Sequence, residues 1–201
     1  MSLIYQKVNK RIFLIVASYI GTIVILLFSV FRIIKINKLY PNPQVITHEL
    51  GDRILEGDIT LCFQNYQLLS GNEFRKLYPT YNDDILNYDM TPVKDEQRYV
   101  LMVTVQIENI TDEEKIVSLV QIYAESLAWS NGIDGNLFPI VNEICNDPMR
   151  IALCSEETME IVLPYSLYDF QFQAKSWENI ANKKFDLTLS FYPIRNIVIL
   201  Q

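Results

Sequence analysis

The hydrophobic pattern divides the chain into two regimes. From Ile12 to Phe31 (IFLIVASYIGTIVILLFSVF) there is no charged residue and no polar face, only Ser18, Tyr19, Thr22 and Ser29 as clearly polar side chains. Twenty residues at a helical rise of ~1.5 Å span about 30 Å, the thickness of a bilayer hydrocarbon core. A soluble helix of this length would show a polar stripe. The stretch predicts a transmembrane helix over residues 12–34, behind a short basic tip at residues 1–11.

Beyond Asp58 the period becomes two. Ile59, Leu61 and Phe63 alternate with Thr60, Cys62 and Gln64, as in a half-buried strand. Ser70 and Glu73 have the spacing of a capping box ahead of a short helix that must end before Pro79. Tyr99, Leu101, Val103, Val105 and Ile107 form one face of the strongest strand, and the other face grows more polar toward its end. Residues 109–114 predict a turn, with Lys115–Leu127 returning as a strand. Met159, Ile161 and Leu163 mark a strand that Pro164 is expected to end, and Tyr165–Phe172 is a further extended segment. Phe185, Leu187, Leu189 and Phe191 alternate cleanly up to Pro193, and Asn196–Leu200 closes the series.

About seven strands with turn signals between them and little helix predict a mainly β chain. The expected architecture is a single transmembrane helix followed by an Ig-like antiparallel β-sandwich with one or two short helices. Pro41 and Pro43 stop the helix, so residues 35–57 are expected to be a stalk and residues 58–201 the sandwich domain.

Charge sharpens this division. The first 40 residues hold six basic side chains and no acid, which leaves 11 basic against 24 acidic residues in the rest, a net charge of −13. Such a domain is repelled by phosphate backbones and anionic headgroups, which argues against nucleic-acid binding. The apolar run is too long for a signal-peptide core, and Phe31-Arg32-Ile33-Ile34-Lys35 offers no small-x-small cleavage site. An uncleaved signal anchor is expected. Three basic residues flank it on each side, so the positive-inside rule nearly ties. The short basic lead favours a cell-membrane, single-pass topology with the C-terminal domain extracytoplasmic.

Candidate chemistry is sparse. His48, the single histidine, falls in the expected stalk, which argues against Ser-His-Asp and Cys-His mechanisms. There is no GxGxxG, P-loop or HExxH motif. With one histidine and no CxxC, no metal site or cofactor is expected. The acidic pairs Asp83-Asp84, Glu113-Glu114 and Glu156-Glu157 fall in turns, where solvated charge is the simpler reading. Asn109-Ile110-Thr111 matches a glycosylation sequon that short chains often contain by chance. Cys62 reads as a small buried hydrophobe, whereas Cys145 and Cys154 are close enough in sequence to pair across a loop. No catalytic residue can be named. Trp129 and Trp177 are the candidate contact aromatics, against the alternative that either is plain core.

Three segments carry a resemblance: YVLMVTVQIENITDEE (99–114), WSNGIDGNLFPIVN (129–142) and VLPYSLYDF…SWENI…FDLTLSFYPIRNIVIL (162–200). Together with the anchor they resemble the uncharacterised membrane-anchored proteins of Gram-positive bacteria that carry one Ig-like, telokin-like β-sandwich of unknown function. The resemblance implies the fold and supplies no catalytic residues. The expected function is a membrane-anchored extracytoplasmic binding or interaction module, held in the lipid bilayer and facing a protein or cell-envelope ligand. An accessory or scaffold subunit of a membrane complex, or a carboxylate-based envelope enzyme, are the alternatives.

Overall fold

The computed structural model describes residues 2–79, 81, 92–143 and 147–200, with side chains from residue 16 onward. The chain forms two compact units, residues 1–43 and 44–201.

In the first unit, helix α1 runs over Ser2–Leu39, past the expected end at residue 34. The side chains of Val16–Leu39 are exposed, and this stretch is long and apolar enough to cross a membrane. The helix makes its last bond from the Tyr40 amide to the Ile36 carbonyl (2.8 Å) before Pro41.

Among the described residues of the second unit, eleven strands form a β-sandwich. β1 (Gln44–His48), β11 (Ile194–Leu200), β10 (Phe185–Thr188), β6 (Tyr123–Ser126) and β7 (Trp129–Asn131) make one sheet in that order. β2 (Arg53–Glu56), β3 (Ile59–Ser70), β4 (Arg98–Asn109) and β9 (Thr158–Tyr168) make the other. β5 (Lys115–Val117) and β8 (Ile151–Leu153) pair separately. Pairing is antiparallel throughout these sheets except between β1 and β11, which run parallel. The alternating faces meet as expected: Leu61, Phe63, Leu101, Val103, Val105, Ile107, Leu163 and Tyr165 pack in one core with Phe185, Leu187, Val198 and Leu200.

Residues 44–56 do not form a stalk. β1 pairs with β11 from Gln44 to His48, and β2 pairs with β3 from Arg53 to Glu56 through the two-residue Gly57-Asp58 turn. Gly57 has φ +63°, which suits a residue without Cβ. Strands this short carry too few alternating residues to register as a period.

The outward face of β4 explains its changing polarity. Val100 and Met102 are covered by a second cluster with Phe74, Tyr81 and Leu137, whereas Thr104, Gln106 and Glu108 lie beyond that cover and are half-buried. Phe74 comes from helix α2 (Gly71–Leu77), which has the predicted capping box: Ser70 accepts from the Glu73 amide, and the Ser70 amide donates to Glu73 (2.8 Å). Gly71 sits against Asp95, where a Cβ would come within 2.4 Å of the Asp95 carbonyl oxygen. Arg98, 2 % exposed, lies in this layer over the Phe74 and Tyr81 rings (5.6 and 5.0 Å).

Two further expectations need correcting. Lys115–Leu127 does not return along β4: β5 leaves to pair with β8, and β6 joins the opposite sheet beside β10. The Asn109 side chain turns the chain, donating to the carbonyls of Glu113 (2.7 Å) and Cys154 (2.8 Å). Nor does Pro164 end its strand, because β9 continues to Tyr168. The Pro164 carbonyl accepts from Asp134 (2.8 Å), so its backbone polar groups face away from β4 and the missing N–H costs no ladder bond.

Candidate functional site

After Tyr168 the chain leaves the sheet in a 3₁₀ turn (Asp169–Gln171) and then forms the single-turn helix α3 (Ala174–Trp177). Gln171 closes the turn by accepting the Tyr168 amide (3.0 Å). The result is a row of aromatic rings. Trp129 on β7 stacks on Phe172 with centroids 5.7 Å apart, Phe172 meets Trp177 at 5.8 Å, and Trp177 sits edge-on to Tyr99 at 5.3 Å. Phe170 stacks on Tyr168 at 5.3 Å, and the Lys183 ammonium lies 6.0 Å from the Phe172 centroid.

Beside this row lies an open cleft of about 380 Å³, lined by Gln97, Asp169, Phe170, Phe172, Ala174, Trp177 and Glu178. Gln97 donates to Asp169 Oδ2 (2.8 Å) and fixes that carboxylate at the wall, while Glu178 is exposed at the rim. The cleft is open to solvent, and its wall combines aromatic rings with polar groups in similar measure.

The structure brings the two candidate tryptophans to either side of Phe172 and distinguishes them. Trp129 is 7 % exposed, belongs to the main core, and spends its indole N–H on Gln171 (3.1 Å). Trp177 is half-buried and lines the cleft, and its N–H has no hydrogen-bond partner among the described residues. Sequence reasoning missed Phe170, Phe172, Asp169 and Gln97 as cleft residues. YSLYDFQF gave the signal, since its aromatic residues fall where the strand ends and neither face of a sheet can absorb them all.

Other expected positions fall elsewhere. His48 lies in the folded domain: it is half-buried on β1, its Nε2 is 3.5 Å from Asn196 Oδ1, and Asn196 in turn donates to Glu56 (3.2 Å). No serine or cysteine joins it among the hydrogen bonds of the described residues. Cys62 is half-buried, not core, and its thiol donates to the Gly51 carbonyl (3.5 Å) from the outward face of β3. Cys154 is exposed, while Cys145, its expected partner, and the Asp83-Asp84 pair lie outside the described residues.

Glu113 and Glu114 are exposed. Asp186 and Glu125 are cross-strand partners on β10 and β6, which brings their carboxylates together. Arg195 pairs with Glu125. Burial, then the Glu125 charge, pushes the Asp186 carboxyl up. Among the described residues, no three His, Cys, Asp or Glu side chains converge as a metal site requires.

Comparison with known proteins adds the family. No curated protein matches the chain. It is similar to an uncharacterized beta-sandwich protein from Clostridium difficile 630, at 11 % identity and TM-score 0.44 over 79 % of this chain and 95 % of that one. It is also similar to the yjhA protein from Bacillus subtilis, at 12 % identity and TM-score 0.45 over 77 % and 99 %. A secreted protein from Mycobacterium tuberculosis, MPT63, gives 12 % identity and TM-score 0.39 over 80 % and 98 %. None of these descriptions names an enzyme. Residues 52–196 match the domain of unknown function DUF5028, and the chain belongs to that family.

Proposed function

We propose that this protein is a single-pass membrane protein whose β-sandwich stands outside the cytoplasmic membrane and captures a ligand in the aromatic cleft. The Ig-like affiliation and a Gram-positive cell surface belong to this reading, as does a role in binding rather than catalysis. The cleft carries it: Trp177 has a half-buried ring and an uncommitted N–H beside Asp169, Gln97 and Glu178. Exposed aromatic rings flanked by polar groups are the usual anchors of recognition surfaces. General acid catalysis needs a carboxyl in dry surroundings, whereas Glu178 is exposed and Asp169 is occupied by Gln97.

The test is photocrosslinking from position 178 in intact cells, followed by purification in mild detergent. One specific adduct, weakened by Trp177→Ala, is expected. A partner that co-purifies equally with Trp177→Ala, and is never crosslinked from position 178, overturns the cleft reading and makes the protein a scaffold subunit.

A further inference from the structure

We infer that the cleft takes an organic cation, an ammonium or guanidinium group, with Trp177 as its platform and Glu178 and Asp169 as its counter-charges. The inference rests on the cleft being the binding site proposed above. Three observations favour a cation over a neutral or anionic ligand.

The first is the lining. Two carboxylates face the cleft and no basic residue lines it. Asp169 gives one oxygen to Gln97, and Glu178 makes no ion pair among the described residues. The second is the aromatic wall. A ring face attracts a cation within about 6 Å of its centroid; Lys183 already takes that place on Phe172, 6.0 Å from its centroid, which leaves Trp177 as the ring open to a ligand. Trp177 has the strongest ring for the purpose and carries no such cation of its own. The third is the field of the domain. Residues 41–201 carry a net charge of −13, which draws cations toward the surface and repels anionic polymers.

Indole resonances test this directly, because the chain has only two tryptophans and Trp129 is an internal control. The full chain, ¹⁵N-labelled in dodecyl maltoside micelles, is titrated with choline, with its neutral isostere 3,3-dimethyl-1-butanol, with N-acetylarginine amide and with N-acetylglucosamine. Choline or the arginine derivative should shift the Trp177 indole signal saturably and leave Trp129 in place. The isostere should bind about tenfold more weakly than choline. Glu178→Gln, an exposed change that leaves the fold intact, should weaken cation binding about threefold, and added salt should do the same. Tighter binding of the arginine derivative points to a basic side chain of a peptide as the source of the cation, and tighter binding of choline to a free ammonium compound. If the isostere or the sugar binds as tightly as choline, the cation inference is overturned and the cleft remains a binding site. If no probe moves Trp177, the inference also falls, while crosslinking from position 178 judges the cleft separately.

Discussion

Asn142 holds Val162 through both atoms of its side-chain amide: Nδ2 donates to the Val162 carbonyl and Oδ1 accepts the Val162 amide, each at 2.8 Å. The side chain thereby acts as a neighbouring strand for β9, whose other edge pairs with β4. Two and four residues on, the Asp134 amide donates to Pro164 (2.8 Å) and Asn131 Nδ2 donates to Ser166 (2.9 Å). The segment from Trp129 to Asn142 is thus a strap along a strand edge that would otherwise leave its backbone groups unpaired. Asn142→Ala strands buried donors and acceptors and should cost about 2–3 kcal/mol, read by urea unfolding. A loss below about 0.5 kcal/mol would show that water replaces the amide.

Asn109 is fully buried, and its Oδ1 accepts from the Thr111 amide (3.1 Å) and hydroxyl (2.8 Å). The sequon is therefore a structural turn, with its acceptor nitrogen bonded to Glu113 and Cys154. Expressed through a eukaryotic secretory pathway, the folded protein should carry no glycan at Asn109, so glycosidase treatment should leave its mobility unchanged, and a shift would overturn the prediction. Asn109→Ala should cost about 2 kcal/mol or more.

Asp95 accepts two hydrogen bonds from Arg75 (2.5 and 2.9 Å) and lies 3.4 Å from Arg98. The Arg75 hydrogen bond, helped by both guanidinium charges, holds its carboxyl below the ordinary value of 3.8. A carboxyl lowered on folding adds stability that is complete above the unfolded value and is lost as pH falls through the folded one. Asp95→Asn should therefore destabilise at pH 7, and the difference from wild type should shrink below about pH 4. Asp186 has the opposite sign: its raised carboxyl costs stability once pH exceeds the unfolded value. Asp186→Asn should leave the melting temperature at pH 7 unchanged or higher. A pH series of melting curves checks both.

Cys154 stands beside Glu157, whose hydrogen bond and charge push the thiol up. Less thiolate at neutral pH means slow alkylation. In reduced protein, Glu157→Gln should speed iodoacetamide labelling of Cys154, and an unchanged rate would remove the link. Counting thiols in denatured protein with and without prior reduction tests the Cys145–Cys154 pair, which predicts one free thiol before reduction and three after.

Treating spheroplasts with protease should remove residues 44–201 if the domain is extracytoplasmic. Protection until the membrane is broken reverses the orientation. A chain beginning at Pro41 should be soluble and unfold cooperatively, because the second unit has its own core.

Features that depend on neighbours along the chain are legible in the order of the residues. The apolar helix is legible because hydropathy sums locally, and β3, β4 and the start of β9 because alternation needs only one strand. The Ser70–Glu73 cap closes within four residues. The partners of those strands were decided elsewhere. Asn109 sends the chain to a different sheet because its amide finds carbonyls 4 and 45 residues away. β1 and β2 exist through pairing with β11 and β3, since short strands are stabilised by neighbours more than by their own pattern. Pro164 looks like a strand end in one dimension and is harmless in three, where its missing donor faces the strap. The cleft is likewise a product of tertiary structure. Both tryptophans look alike in sequence and both touch Phe172, but Trp129 also packs on Phe185 in the core, whereas Trp177 is left half-buried at the cleft with its N–H unspent.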